Sequence, residues 1–426
     1  MFNVRRSISK GLFDMPETTA FHPRLESLNQ TKIWKNWSGY LVAPRYQYSV
    51  ATEYYAIRNA VSLLDTSPLF KYRISGPDAE ALLKRAMARD ITKCKPGSAQ
   101  YTVWCDEKGF VVQDGVIMNL GQSEYWLTSA EPSLRYFRNI AKQMQIDVHV
   151  DDISKQYGIL AIQGPHAYSV LKQLTGDIGD LNYFKTARTQ IAKNPVVISR
   201  TGFTGDLGYE IWVQADAALT IWDALMSAGD GFNITPLGTT ALKMARVEAG
   251  LLLMDVDFHS SRHAWVDAQR ETPVELGWAW MFSGLANDDR DFIGRAALQS
   301  ELKNKTSRWT TVGLSIDWHD YERVHLKAGI MPPKHELYRE GTMSVYRRND
   351  TQWDYAGYAS SFLFSPLLQK PIAIAKLPLD LAATGTEVDL EIPLIRQPVN
   401  VLARVETMPF YEPPRKTASV LTGTSS

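Results

Sequence analysis

Cysteine is scarce: Cys94 and Cys105 are the only two in 426 residues, too few for a disulfide framework and without the paired spacing of a metal site. That scarcity fits a reduced compartment, and the cytoplasm is the expected one. Net charge is missing as well. Lys plus Arg (46) balance Asp plus Glu (46), a formal charge of +0, so no global field draws the chain to nucleic acid or an anionic membrane, although a local basic pocket is compatible with this balance. No run of about 18 apolar residues offers a membrane span. Near the N-terminus Gly11-Leu12-Phe13 is far too short for a signal-peptide core. Internal repeats at solenoid periods are also absent. Neither nucleic acid nor membrane is therefore an expected partner.

The length exceeds what one hydrophobic core usually organises, so two or three domains are expected. Residues 1–33 are polar and aperiodic and read as an N-terminal arm. Residues 34–300 mix strand-like runs, such as Val111 to Met118 and Tyr125 to Thr128, with helical ones. In Pro132 to Met144, for example, Leu134, Phe137, Ile140 and Met144 recur at near-helical spacing. This mixture indicates an α+β fold and not a continuous βαβ series. The polar residues 301–309 read as a linker. Residues 310–412 hold short strands punctuated by Gly and Pro, as in a small β-barrel. The Ser- and Thr-rich end, residues 413–426, is expected to be disordered.

One strip stands out. Ser199-Arg200-Thr201-Gly202-Phe203-Thr204-Gly205-Asp206-Leu207-Gly208-Tyr209-Glu210 spaces three glycines three residues apart and runs into a strand. The glycines permit close approach of the backbone to a ligand or another strand. Beyond them Tyr209, Ile211 and Val213 alternate with Glu210 and Trp212, so one face should be buried and the other should present Glu210. On local pattern alone a hairpin with a solvated glutamate fits equally well.

The strip resembles the Thr-Gly-Tyr-Thr-Gly-Glu-x-Gly-Tyr-Glu run of the glycine-cleavage T-protein family, the folate-binding aminomethyltransferases and their demethylase relatives. Five further segments resemble that family in the same order. They are Leu64-Asp65-Thr66-Ser67-Pro68 through Ser75-Gly76-Pro77, then Gln163-Gly164-Pro165, Arg246-Val247-Glu248-Ala249-Gly250, Asp291-Phe292-Ile293-Gly294-Arg295, and Ser360-Ser361-Phe362-Leu363-Phe364-Ser365-Pro366. Each is weak alone, and collinearity from residue 64 to residue 366 is what makes them specific. The resemblance implies a three-domain cloverleaf whose central channel holds tetrahydrofolate, with residues 34–300 forming two intertwined α+β domains.

It also nominates residues. Glu210 corresponds to the carboxylate that holds the pterin, and Tyr209, adjacent in the same strip, is a further candidate cofactor contact. Asp114 sits inside the apolar run Val111-Val112-Gln113-Asp114-Gly115-Val116, where a carboxylate is costly unless paired or functional. The family often has two adjacent acids there, beside the reactive folate nitrogens; here Gln113 precedes a single acid, which becomes the candidate catalytic group. A strand-end turn before Gly115 is its plain structural alternative. Tyr101 resembles the tyrosine lining the folate channel, although tyrosine is common in half-buried strands. Arg246 matches an arginine that contacts folate; from its neighbours alone it could equally pair with Glu248 or face water. Met254 to Trp265 is the segment expected to set substrate choice, with Asp255, Asp257, His259 and His263 as its polar candidates. The two histidines are four apart, yet Ser260-Ser261 argues against a helix between them, and no metal is expected.

Departures from the family pattern narrow the activity. The aminomethyltransferase branch carries Ala-Arg-Asp-Thr-Leu before the helix-end arginine, whereas Ala241-Leu242-Lys243-Met244-Ala245 lacks the Arg-Asp pair. The histidine of Asp-Val-Ser-His-Met is replaced in Asp65-Thr66-Ser67-Pro68-Leu69. No flavin-type dinucleotide segment precedes the module, so no fused oxidase is expected, and the cysteine motif of the iron-sulfur-assembly relatives is missing. The expected activity is that of a tetrahydrofolate-dependent demethylase taking a one-carbon group from a small methylated donor. Aminomethyl transfer and folate binding without turnover are the alternatives.

Overall fold

A computed structural model describes residues 16–420, except 177, 180, 286, 288, 334–337 and 349–353. Two sheets and a barrel organise it. Strands Thr186–Ile191, Asn194–Ser199, Gly208–Gln214, Tyr157–Gln163, Val61–Asp65 and Ile234–Pro236 form a six-stranded sheet in that order, antiparallel except for the last pair. The second, antiparallel, has five: Ser98–Cys105, Val111–Gly121, Glu124–Ser129, Phe70–Ser75 and His149–Asp152. All five lie in sequence between Val61–Asp65 and Tyr157–Gln163, which pair with each other. The chain thus leaves one sheet, builds the other and returns, which intertwines the two units.

Between the sheets Met118 and Trp126 meet Ile159, Val197 and Trp212, with the Trp126 and Trp212 rings 5.2 Å apart. Burying such side chains contributes about 1.5–3 kcal/mol each. Thr310–Ile316, Lys370–Leu377, Asp354–Ser365, Tyr338–Arg347, Glu387–Leu394 and Gln397–Glu406 close the C-terminal six-stranded barrel. The whole is the α+β cloverleaf with a small barrel that the strand patterns and the resemblance led us to expect.

The helix Thr239–Glu248 joins these parts. Its apolar side buries Ala241, Met244, Ala245 and Val247. Arg246 and Glu248, two residues apart, cannot face each other on a helix. Glu248 instead accepts from Tyr54 Oη (2.5 Å), Arg58 Nη2 (2.6 Å) and Ser365 Oγ (2.6 Å). Arg246 turns to Asp257, so the local alternatives of pairing with Glu248 or facing water do not occur.

Three boundaries differ from the sequence reading. Residues 301–304 are not linker but the last turn of the helix Arg295–Asn304, where buried Glu301 accepts from Thr272 and Ser307. At the other end, Phe21 and Leu25 of the presumed arm are buried against the six-stranded sheet's core, and Arg24 forks onto Asp223; residues 1–15 of that arm lie outside the described residues. Residues 413–420 of the expected loose tail fold back. Arg415 pairs with Asp206, and Arg200 Nη2 donates to the carbonyls of Arg415, Lys416 and Ala418. Composition suggested disorder, but these charge-assisted bonds are made to partners some 200 residues away, which no local pattern reveals.

Candidate functional site

The glycine strip is explained by packing. A Cβ on Gly202 or Gly208 would lie 2.2 Å from Gln163 Oε1, and one on Gly205, at φ +71°, 2.4 Å from Ala249 Cβ. Gln163 fills the strip, its amide donating to the carbonyls of Thr201 and Tyr209 while Thr204 donates to its oxygen at 2.7 Å. The close approach is therefore made by the Gln-Gly-Pro turn and the Glu-Ala-Gly helix end. Three motifs that are distant in sequence interlock here, and together they fix the start of the strand carrying Glu210.

On that strand Glu210 shares the face of Trp212, which packs between the sheets. Ser199 and Ala161 lie opposite it on the two neighbouring strands. Thr201 Oγ1 donates to Glu210 Oε2, and burial raises the carboxyl above the usual range while this bond pulls it back. Tyr209 falls on the other pleat face, enclosed in the core with Ile211 and Val213, and its hydroxyl has no partner among the described residues. The strand separates it from Glu210.

Asp114 comes from the facing sheet. Pairing slips from Trp104 with Gln113 to Cys105 with Val111, a bulge at Val112. Beyond it Asp114, Val116 and Met118 alternate onto the inter-sheet face. Tyr101, paired with Val116 one step along, reaches diagonally and donates to Asp114 Oδ2 at 2.8 Å. Burial pushes the Asp114 carboxyl up to about 6, with the phenol offsetting part of the rise; Tyr101 itself is driven well above its ordinary value by the same burial.

The two carboxylates thus project from facing surfaces of the two sheets, each half-buried. Each has one oxygen held by a hydroxyl, and Asp114 Oδ1 and Glu210 Oε1 have no hydrogen-bond partner among the described residues. Carboxylate oxygens left free to accept suit a flat heterocycle rich in N–H donors, so the chemistry of these two residues fits a tetrahydrofolate pterin. Behind Tyr101 lie buried rings: Trp278 meets Tyr101 edge-on at 5.6 Å and Phe258 at 5.3 Å. Nothing in the sequence distinguished Trp278 or Phe258 from ordinary core, and Thr201 was visible only as part of the strip.

The remaining candidates are engaged elsewhere. Arg246 is fully buried; besides Asp257, it donates to Tyr338 Oη (2.9 Å) and Ser361 Oγ (2.7 Å), and among the described residues its Nε has no partner. It pins the helix to the barrel. Asp257 accepts from Arg246, Leu253 N, Ser360 and Ser361, so both its oxygens are already bonded within the protein. His259 lies 3.6 Å from Asp255, and His263 Nε2 is 2.9 Å from Glu131. Both histidines are solvent-facing and point to separate carboxylates. Among the described residues no group of three His, Cys, Asp or Glu could hold a metal. Their segment does border the site, since Ser261 N donates to Val111 O and Ser260 Oγ to Val112 O. Lys243, standing where the Arg-Asp pair is lost, is ion-paired to Glu340 at 2.5 Å.

Known families settle the lineage. The GCVT N-terminal domain family matches residues 22–282, and the Glycine cleavage T-protein C-terminal barrel domain matches residues 323–412. The chain belongs to the glycine-cleavage T-protein family. Members of this family transfer one-carbon units with tetrahydrofolate as acceptor or carrier. The chain is similar to an aminomethyltransferase of Bacillus subtilis (strain 168), 31% identical over 370 residues, covering 85% of this chain and 91% of that protein. It is similar also to the heme-dependent oxidative N-demethylase gamma subunit of Ectopseudomonas mendocina (strain ymp), 30% identical with 90% and 93% covered. A trimethylamine-oxide aldolase of Ruegeria pomeroyi is 30% identical, the match covering 88% of this chain and 45% of that protein. The fold is that of the glycine cleavage system aminomethyltransferase T from Bartonella henselae, with a TM-score of 0.78 at 21% identity over 93% of this chain. Among the described residues no helix is long and apolar enough to cross a membrane.

Proposed function

We propose that this chain is a tetrahydrofolate-dependent demethylase, moving a one-carbon group, in the first instance a methyl, from a small methylated metabolite to the folate. The observation that carries this reading is the Tyr101-Asp114 pair: a carboxyl raised to about 6, one oxygen anchored by the phenol and the other without a hydrogen-bond partner among the described residues. When bound, tetrahydrofolate supplies the amine nucleophile that would accept the carbon, and the donor heteroatom, cationic or protonated, would keep the electron pair of the broken bond and leave as a neutral amine, sulfide or alcohol. Asp114 Oδ1 accepts the proton that the acceptor amine must release, a task suited to a carboxylate whose pKa lies near the working pH. Glu210 Oε1 receives N–H donors of the pterin and fixes its orientation. Tyr101, with the buried rings of Trp278 and Phe258 behind it, keeps water from the transfer. Arg246 and Asp257 support this site from behind, through the barrel contact.

Loss of the Arg-Asp pair, with Leu242 packed against the core and Lys243 tied to Glu340, supports a branch other than carrier-protein service. The names of two relatives, an N-demethylase subunit and a trimethylamine-oxide aldolase, support N-methyl amines as the donor class to test first, ahead of sulfonium and methoxyaromatic compounds. Aminomethyl transfer is the second reading, favoured by the Bacillus relatives named for it. Retention of both open carboxylates speaks against a folate-binding protein without turnover. The low cysteine content favours the cytoplasm as its location. The test is to incubate the protein with tetrahydrofolate and each donor class, scoring 5-methyl- and 5,10-methylene-tetrahydrofolate by mass spectrometry. Turnover only with glycine-cleavage components would replace the demethylase by the aminomethyltransferase.

A further inference from the structure

Glu210 has an unusual electrostatic setting. The strands beside it place Ser199 and Ala161 opposite, neither charged. The charged members of the glycine strip are engaged away from it: Arg200 on the C-terminal carbonyls, and Asp206 between Arg58 and Arg415. Among the described residues no cation pairs with the carboxylate, and the facing sheet presents acids, Asp114 and, bonded to Trp126 and Arg188, Glu124. The group left to hold Glu210 is Thr201, whose hydroxyl donates to Oε2 and lies 2.7 Å from Ser199 Oγ. Ser199 and Thr201 are 1% and 3% exposed. With Thr201 donating to Glu210, Ser199 becomes the donor to Thr201, so the two hydroxyls form a short chain polarised toward the carboxylate. The chain is rigidly placed. Gln163 grips the Thr201 carbonyl, and Gly202 leaves room for it to do so.

We propose that Thr201, backed by Ser199, is the positioning residue for Glu210: the hydroxyl chain occupies Oε2, turns Oε1 toward the inter-sheet space and stands in for the missing cation. This rests on the reading of Glu210 as a pterin contact. Two consequences follow. The first is geometric: without the Thr201 hydroxyl, Glu210 is free to rotate, and affinity for an N–H donor ligand falls. The second is a matter of charge. Burial drives Glu210 toward its protonated form and the Thr201 bond opposes this. An acceptor carboxylate is lost as pH falls through its pKa; removing the hydroxyl raises that pKa further, so the loss of affinity begins at a higher pH.

Calorimetric titration with tetrahydrofolate under anaerobic conditions across acid to neutral pH tests this with three variants. Thr201→Val is expected to weaken binding about tenfold at neutral pH and to move the acid limb upward, while Thr201→Ser restores both. Glu210→Gln is expected to bind weakly with no acid limb of this origin. Should Thr201→Val fail to fold, Ser199→Ala takes its place, with a smaller shift of the limb in the same direction. If the Thr201 and Ser199 variants match wild type while Glu210→Gln binds weakly, the hydroxyl chain has no such role. If Glu210→Gln binds like wild type, Glu210 is no pterin contact and the inference falls with it.

Discussion

Tyr101 donates its phenolic hydroxyl to Asp114 Oδ2 across a diagonal of adjacent strands, at 2.8 Å. The bond couples a carboxyl raised to about 6 by burial to a phenol that burial keeps protonated. Turnover should therefore rise with pH through about 6 as Asp114 ionises. Tyr101→Phe removes the bond that holds the carboxyl down, so the acid limb of kcat moves to higher pH, and an unmoved limb would detach Asp114 from the proton transfer.

Asp114→Asn is expected to keep fold and folate affinity and to slow transfer by about 10²- to 10⁴-fold. It also makes a stability prediction. The native carboxyl titrates near 6 against 3.8 for the free group, so the folded state binds the proton more tightly and stability falls as pH rises through that window. Above about pH 6 the penalty is complete. The amide escapes it, and thermal melts should show Asp114→Asn more stable than wild type by about 1–2 kcal/mol at neutral pH, with the gap closing toward pH 4.

Glu210→Ala is expected to weaken tetrahydrofolate binding by roughly 1.5–3 kcal/mol through loss of charge-assisted contacts. Calorimetry on the folded variant measures it, and unchanged affinity would remove Glu210 from the site.

Arg246→Met strands buried Asp257 without its cation. Denaturant unfolding should show a loss of about 3–5 kcal/mol, borne by the contact between the helix Thr239–Glu248 and the barrel. A variant of native stability with weakened folate binding would instead make Arg246 a ligand contact.

Chelation should leave turnover unchanged, and His259→Ala and His263→Ala should retain it, because each histidine faces solvent beside its own carboxylate. Activity lost to a chelator and restored by one metal would overturn this.

The linear chain determined the class of the fold and nominated both carboxylates. Strand alternation around Glu210, an acid inside an apolar run at Asp114 and six collinear motifs are local or ordered signals, and they survive without coordinates. Which candidates reach the site was decided by tertiary structure. Tyr209 is next to Glu210 in sequence but across the strand from it, a consequence of the pleat that becomes decisive only when one face is known to be core. Asp257 and Arg246 look like site residues by type, yet the barrel supplies Tyr338, Ser360 and Ser361 to saturate them. Thr201 and Trp278 gain roles only because Gln163, some 40 residues before the strip's start, and Tyr101, nearly 180 residues before Trp278, are brought beside them. Such pairings depend on how distant segments pack, and burial and hydrogen-bond saturation are properties of the assembled chain that no window of sequence contains.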